Sequence, residues 1–536
     1  MLRLSELLRR RVGPLQALAC ALLLGFFAWS IALMYVPGRG FTYLIEFGDR
    51  GRERYLPEVR ATDHYENPDS EGYDGKAYVQ IALRPNLGDP ALKASVDGLA
   101  YRARRILFLW TAWLLGLGRP PWVMAAYALQ NVACWLVLAF VLPRWFPLRD
   151  GDGVLRWAGV LFSFGLIFSV RSALLDGPSL LLIALAMASL ERGHSWRAAA
   201  LLGLSGLGKE TNLLAGTALG GPGKGRFVRW LGQGALLLLP LALWVVCLTL
   251  WVGNGADPGR RNFAAPFAGF AGKAREVAAE LRHAPPDLRS VPKFDALVLV
   301  GLAAQALFLA LRPARRDPWW RLGAGYAVLM VFLGPGVWEG YPTAAARVLL
   351  PMTLAFNVLV PRGRRWLALL LLGNLGAVGS LDLLRPPPRS SMPVNGAPAL
   401  KFGRAGGGEV AVRFVGANWD PPERSAFNFW RWSHGDCDLE ITNPQDFPIT
   451  AELDFTVRTP RARRVAIEVH DVGFSHAVVG PSQPEKVAIM GLELLPGRNV
   501  LHFRPDPGDD PPGVDGRHPA AFGIWNPELY LRARGP

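Results

Sequence analysis

Between Glu46 and Asp97 the chain gathers Asp49, Asp63, His64, Asp69, Glu71, Asp74 and Asp89, in a protein of which only 19% is charged. The centre of this stretch reads Gly72-Tyr73-Asp74-Gly75-Lys76-Ala77-Tyr78-Val79-Gln80-Ile81-Ala82, and Tyr101-Arg102-Ala103-Arg104-Arg105-Ile106 follows. A carboxylate drawn partly out of water has its pKa raised toward neutrality, which suits it to take a proton from a hydroxyl. Asp74 is the first candidate for such a base, with Asp63 and Asp49 in reserve. Tyr73, Lys76 and Tyr78 would face its substrate, and Gly75 would let that substrate come close. The plainer reading is an Asp-Gly turn that caps a helix.

Other charges stand beside apolar runs. Asp176 sits in Arg171-Ser172-Ala173-Leu174-Leu175-Asp176-Gly177-Pro178. An acid there is costly unless it faces a cavity or a partner, so it reads either as a substrate contact or as the cap of the next helix, with Arg171 as a partner in both cases. Lys209-Glu210-Thr211 follows a glycine-rich run, but Glu210 stands where a P-loop needs Ser or Thr, and no strand precedes it. Nucleotide binding is excluded, and a buried Lys209–Glu210 pair holding broken helices together is expected instead. Arg347 opens an apolar run after Tyr341-Pro342-Thr343, where its fork could clamp a phosphate or snorkel to lipid headgroups. Arg260 and Arg261 offer a second basic pair for the same phosphate. The eight His are scattered and no His/Cys/Asp spacing fits a metal, so neither a metal nor a cofactor is expected. Cys20, Cys134 and Cys247 lie in apolar runs and Cys437 stands apart, which leaves no disulfide framework.

The elements that must hold these residues follow from hydrophobicity. Residues of the hydrophobic class make up 51% of the 536, and apolar runs long enough to cross a bilayer recur through the first 385. They lie at about 15–36, 122–143, 154–171, 177–190, 231–252, 294–312, 319–336, 345–360 and 366–384. Two further segments, 105–118 and 198–219, are short or interrupted, the second at Gly208-Lys209-Glu210, which gives 9–11 membrane segments in all. The net charge of +15 is uneven: 43 basic against 25 acidic residues up to position 400, then 15 against 18. The excess sits in clusters between apolar runs, as in cytoplasmic loops, and nucleic acid is excluded as a partner. That rule keeps 105–118 and 198–219 from crossing, puts the N-terminus inside, and places loops 37–121, 253–293 and 337–344 outside. Arg9 to Arg11 before a long apolar run read as the start of a first membrane helix, with no cleaved leader. Residues 385–400 read as a Pro-rich linker. Beyond it, short alternating runs such as CDLEITN, AELDFTVRT and NVLHFRP predict an antiparallel β-sandwich over 401–536, outside the membrane.

The YDGxxYxxIA stretch at Tyr73 to Ala82, followed by YRxxRI at Tyr101 to Ile106, resembles the first-loop signature of bacterial GT-C-type integral membrane glycosyltransferases. Its layout is also similar to GPI mannosyltransferases, and Gly203-Leu204-Ser205-Gly206-Leu207-Gly208-Lys209 resembles the Gly-Leu-x-x-Leu-x-Lys stretch of protein mannosyltransferases and aminoarabinose transferases. Many bacterial relatives have Gln where this chain has Lys76. Trp430-Arg431-Trp432-Ser433 and Pro496-Gly497-Arg498-Asn499 resemble β-domains appended to GT-C-like proteins. The resemblance implies a polytopic helical membrane domain (1–384) that moves a sugar from a polyprenyl-phosphate-type donor. The transfer would go to a glycan, lipid or protein acceptor on the outer face of a bacterial cytoplasmic membrane, with Asp74 as base and Asp176 and Arg347 at the substrate. The competing classes are a lipid or polysaccharide transporter, weakened by the lack of an inverted repeat, and a silent scaffold with a glycan-binding β-domain.

Overall fold

The computed structural model describes residues 13–36, 39–48, 50–67, 70–221, 227–253, 258–283, 291–339, 343–386, 398–401, 409–424, 429–444, 447–469, 472–479, 484–507 and 520–532. All nine apolar runs expected to span are helical. Among the described residues, Pro14–Ala32, Pro120–Arg144, Phe227–Val252 and Pro292–Leu311 are long and apolar enough to cross a membrane. Two more spans follow if Gly151–Leu161 with Phe164–Arg171 (bent 45°) and Arg364–Gly373 with Ala377–Leu383 (bent 43°) are each one broken crossing. The 16-residue Asp176–Glu191 reaches only about 24 Å at 1.5 Å per residue, short of a roughly 30 Å hydrocarbon core. The helices Pro318–Phe332 and Leu350–Leu359 are shorter still.

Helix starts follow ordinary signals. Proline occupies the first turn at Pro14, Pro120 and Pro318, where its missing N–H costs nothing. The side chains of Asp150 and Asp317 cap their helices by accepting from Gly153 N (2.7 Å) and Trp319 N (2.8 Å). Leu15, Leu18, Leu22 and Trp29 of the first helix are exposed, as lipid-facing side chains are.

The two ambiguous segments have distinct shapes. Leu107–Leu115 is a nine-residue helix that turns at Gly116–Gly118 into Pro120–Val141. Ser195–Gly208 is a helix that breaks at Lys209 and returns as the 3₁₀ helix Glu210–Leu219. Asn212 Nδ2 donates back to Ser205 O (3.1 Å) and Oγ (2.9 Å), which pins the return against the outgoing helix.

The first loop is a packed layer. Its central helix, Asp74–Leu83, buries Ala77 through Leu83. Gln80 in that helix accepts from Leu56 N (2.9 Å) and donates to Ser95 O (3.4 Å), joining helices Pro57–Ala61 and Pro90–Ser95. A Cβ on Gly75 would stand 2.5 Å from Ile45 O and 2.8 Å from Ser172 O. The close approach that Gly75 permits is therefore to the protein's own backbone rather than to a substrate. The three loops meet: Asn262 of the second donates to Tyr101 Oη of the first (3.3 Å), and Gly334 N, beside the third, donates to Asn262 O (2.7 Å).

From Pro398 on, two antiparallel sheets face each other. One runs in the order Val472–Val479, Ala462–Val469, Gly497–Pro505, Cys437–Asn443, Glu409–Val415, Pro398–Lys401; the other Glu485–Leu494, Ile449–Arg458, Phe522–Arg532, Phe429–Ser433, Glu423–Arg424. Alternate residues of Cys437–Asn443 and Ile449–Arg458 point inward, and both sheets contribute to one core with Leu439, Ile441, Leu453, Phe455, Leu501 and Phe522. The expected sandwich is present. Its first strand begins inside the stretch expected to be linker, at Pro398, because 398–401 pairs with the edge of Glu409–Val415.

Candidate active site

The first-loop helix begins at Asp74, after Gly72 at φ +73° turns the chain. The carboxylate is about one-third exposed and its Oδ1 accepts from Arg102 Nη1 at 2.9 Å. Arg102 ends the short helix Leu99–Arg102, and its other nitrogens fork onto Asp97: Nε to Oδ1 and Nη2 to Oδ2, both 3.0 Å. Three residues on, Arg105 donates to Tyr78 Oη (2.5 Å), Tyr101 Oη (3.0 Å) and Glu210 Oε2 (3.0 Å).

Asp176 opens its helix and is buried. It is ion-paired with Lys209 and, at 3.2 Å, with Arg347 Nη1. Arg347 also donates to Tyr73 Oη (3.2 Å) and lies over the Phe168 ring at 5.5 Å. Tyr73 precedes Asp74, so the Asp176 group and the Asp74 group form one continuous array. Five segments remote in sequence supply it: Tyr73–Tyr78, Asp97–Arg105, Asp176, Lys209–Glu210 and Arg347. Four cations stand against four carboxylates, and one of those, Asp97, is largely exposed.

Electrostatics reverse one expectation. Burial alone would raise the Asp74 pKa, but the charges of Arg102, Arg347 and Arg105 and the Arg102 hydrogen bond outweigh it and hold the carboxyl below its usual value. Asp74 is therefore ionised well into acid. Arg102 in turn is raised despite its burial, by Asp74 and Asp97.

The other expected site residues lie elsewhere. Asp63 is exposed, and among the described residues no hydrogen bond or ion pair joins it to the array. Asp49 lies outside the described residues. Lys76 points away from Asp74 toward Glu71 and the Tyr55 ring (6.0 Å). Burial, with Arg102 and Arg54, lowers its pKa against the pull of Glu71 and Asp97. Arg261 is exposed and paired with Glu339 rather than with a carboxylate of the array. Arg260 belongs to the 3₁₀ turn Pro258–Asn262, and its side chain lies outside what the structure describes.

Lys209 and Glu210 are both in the array but do not pair with each other. The extended backbone at Lys209 (φ −163°, ψ 126°) turns successive side chains to opposite sides, so Lys209 meets Asp176 and Glu210 meets Arg105. Arg171 likewise does not pair with Asp176: it pairs with Glu46 (3.2 Å) and stacks on Tyr43 at 3.8 Å. Among the described residues no three His, Cys, Asp or Glu side chains gather as a metal set.

No protein-family model and no curated protein matches this chain. Among solved structures it is similar to the arabinosyltransferase EmbB from Mycobacterium smegmatis, with TM-score 0.36 and 11% identity over 94% of this chain and 64% of that one. A second likeness is to the arabinofuranosyltransferase AftD from Mycobacteria, also at TM-score 0.36 and 11% identity, over 95% and 61%. TmCBM61, solved with beta-1,4-galactotriose, matches 23% of this chain and 88% of its own at 10% identity and TM-score 0.16. Scores this low carry no argument. The chain spans about three fifths of the length of the two transferases.

Arg102, Arg105, Tyr101, Asp97 and Asn262 were not candidates from sequence. A signal for three of them existed: Tyr101, Arg102 and Arg105 are fixed positions of the YRxxRI stretch. In the β-region, Trp419 fills the core between Phe414 and Phe522. Trp430 and Trp525 instead stack across neighbouring strands (5.9 Å, 5°), beside Trp432.

Proposed function

We propose that this chain is a membrane glycosyltransferase of GT-C type, taking a sugar from a polyprenyl-phosphate-type donor to an acceptor at the outer face of a cytoplasmic membrane. One observation carries the reading: Tyr73, Asp74, Asp176, Lys209 and Arg347, chosen from sequence for substrate contact or burial, belong to one array although up to 274 positions separate them. Apolar spans that would hold a lipid-linked donor accompany it. The YDGxxYxxIA and YRxxRI resemblance supplies the chemistry.

In this reading the acceptor hydroxyl gives its proton to Asp74 and its oxygen bonds to the anomeric carbon. The bond from that carbon to the donor phosphate breaks, and the electron pair leaves on the phosphate. Glycosyl transition states have oxocarbenium character, so the acceptor proton is lost late and an ionised carboxylate of low basicity suffices. Arg347, Lys209 and Arg105 would meet the departing phosphate, Asp176 otherwise balancing Arg347 and Lys209, and Glu210 balancing Arg105. The same reading takes the first loop and the β-sandwich to be extracytoplasmic, the N-terminus cytoplasmic, and no divalent metal to be needed.

The test is deletion of the gene with complementation by wild type or Asp74→Asn, read by mass spectrometry of lipid-linked sugars and envelope glycans. Loss of one glycan together with accumulation of its donor, restored by wild type alone, is expected. Full restoration by Asp74→Asn would remove the base from this account. Substrate accumulating in vesicles without any covalent product would move the protein to transport.

A further inference from the structure

We propose that Asp97 is a positioning residue that holds Arg102 and so keeps one oxygen of Asp74 open for the acceptor's proton. This rests on the reading of Asp74 as the base.

The geometry is asymmetric. Arg102 gives Asp97 a two-nitrogen fork, and Nε also reaches Asp97 O at 3.1 Å, while Asp74 receives one N–H on Oδ1. Among the described residues Asp74 Oδ2 makes no hydrogen bond, on a side chain that is 34% exposed. Gly98, at φ +61°, makes the turn that folds Asp97 back onto Arg102. Asp97 itself is 76% exposed, so the fork is not there to satisfy a buried acid. An Arg without that partner would be free to fork onto both oxygens of Asp74, which is the geometry guanidinium and carboxylate prefer. Asp97 prevents it.

The consequence for proton transfer follows directly. When the acceptor's proton reaches Oδ2, Asp74 becomes neutral and its ion pair with Arg102 is lost. Arg102 is only 14% exposed, and an uncompensated charge at such a site is costly. Asp97 retains the guanidinium, so the protonated state does not leave it unpaired. The other groups around Asp74 cannot do this. Arg105 and Arg347 are cations, Tyr78 and Tyr127 are neutral phenols with hydrogen bonds of their own, and Lys76 on the same helix turns to Glu71.

The test needs no substrate. Full-length protein in nanodiscs is titrated by infrared spectroscopy, and the protonated carboxyl band of Asp74 is assigned by its loss in Asp74→Asn. Asp97→Asn is expected to move that titration to lower pH by more in the wild-type background, where Arg102 closes fully onto Asp74, than in Arg102→Gln, where only the Asp97 charge is lost. Equal shifts in the two backgrounds overturn the proposal. Arg102→Gln should move it to higher pH, and Asp97→Glu should stay near wild type. A titration that Asp97→Asn leaves in place, or moves upward, overturns the proposal. Should Asp97→Asn fail to fold, Asp97→Ser is read in its place by the same criterion. Failure here is separable from failure of the base reading, which is judged by glycan transfer in Asp74→Asn alone.

Discussion

Replacing Arg347 with Ala removes an ion pair to Asp176 Oδ2 (3.2 Å), a hydrogen bond to Tyr73 Oη (3.2 Å) and the packing of a guanidinium on Phe168. Stripping a buried carboxylate of its whole counter-charge costs about 3–5 kcal/mol. Asp176 keeps Lys209, so the loss of folding stability falls nearer the about 1.5–3 kcal/mol of one charged hydrogen bond. The loss in catalysis is separate. One charged donor to a developing anion contributes about 2.7–4 kcal/mol, or roughly a hundred- to a thousandfold in turnover. The assay is sugar transfer from a synthetic polyprenyl-phosphate donor by reconstituted protein, with thermal melting of each variant in parallel. Arg347→Ala should fall by at least about a hundredfold and melt a few degrees lower; Arg347→Lys should recover part of the rate, since one ammonium cannot span Asp176 and Tyr73 together. Activity should persist in EDTA. Near-normal turnover of Arg347→Ala, combined with inhibition by EDTA, would refute the phosphate-clamp reasoning and make the carboxylates metal ligands.

Other outcomes follow from the same array. The depressed Asp74 pKa contributes stability that is complete above the unfolded carboxyl's value and is lost as pH falls through the folded one; chemical denaturation should show wild type and Asp74→Asn diverging at neutral pH and converging in acid. Double-mutant cycles on melting should give a larger coupling for Lys209 with Asp176 than for Lys209 with Glu210, and the opposite order would restore a Lys209–Glu210 pair. Cysteine at Ser70 should react with an impermeant reagent from outside and cysteine at Arg362 only from inside.

The architecture was legible because burial in a membrane and in a sandwich core writes itself as period and run length. All nine apolar runs became helices, and CDLEITN became a strand whose inward residues alternate as the pattern requires. The shortness of Asp176–Glu191 was less legible, since Asp176 and Gly177 look like span termini but begin the helix inside the protein. The edge strand at Pro398 was hidden because proline-rich sequence with no alternation gives no strand signal. It pairs on one side alone, where a missing N–H is tolerated.

Candidate residues could be read as types, but their partners could not. Lys209 next to Glu210 looks like a pair on paper, and only the extended backbone at the break sends one side chain to Asp176 and the other to Arg105. Asp74 shows the same gap more sharply. Desolvation and a ring of arginines push its basicity in opposite directions, and which wins depends on three arginines, two from the first loop and one 273 positions downstream, meeting it in space. A sequence states which charges exist; the sign of a pKa shift is a property of where they converge. That is why Asp74 was findable as a candidate and its protonation state was not, and why Asp97, an exposed acid with nothing to mark it, emerges only once its fork on Arg102 is seen.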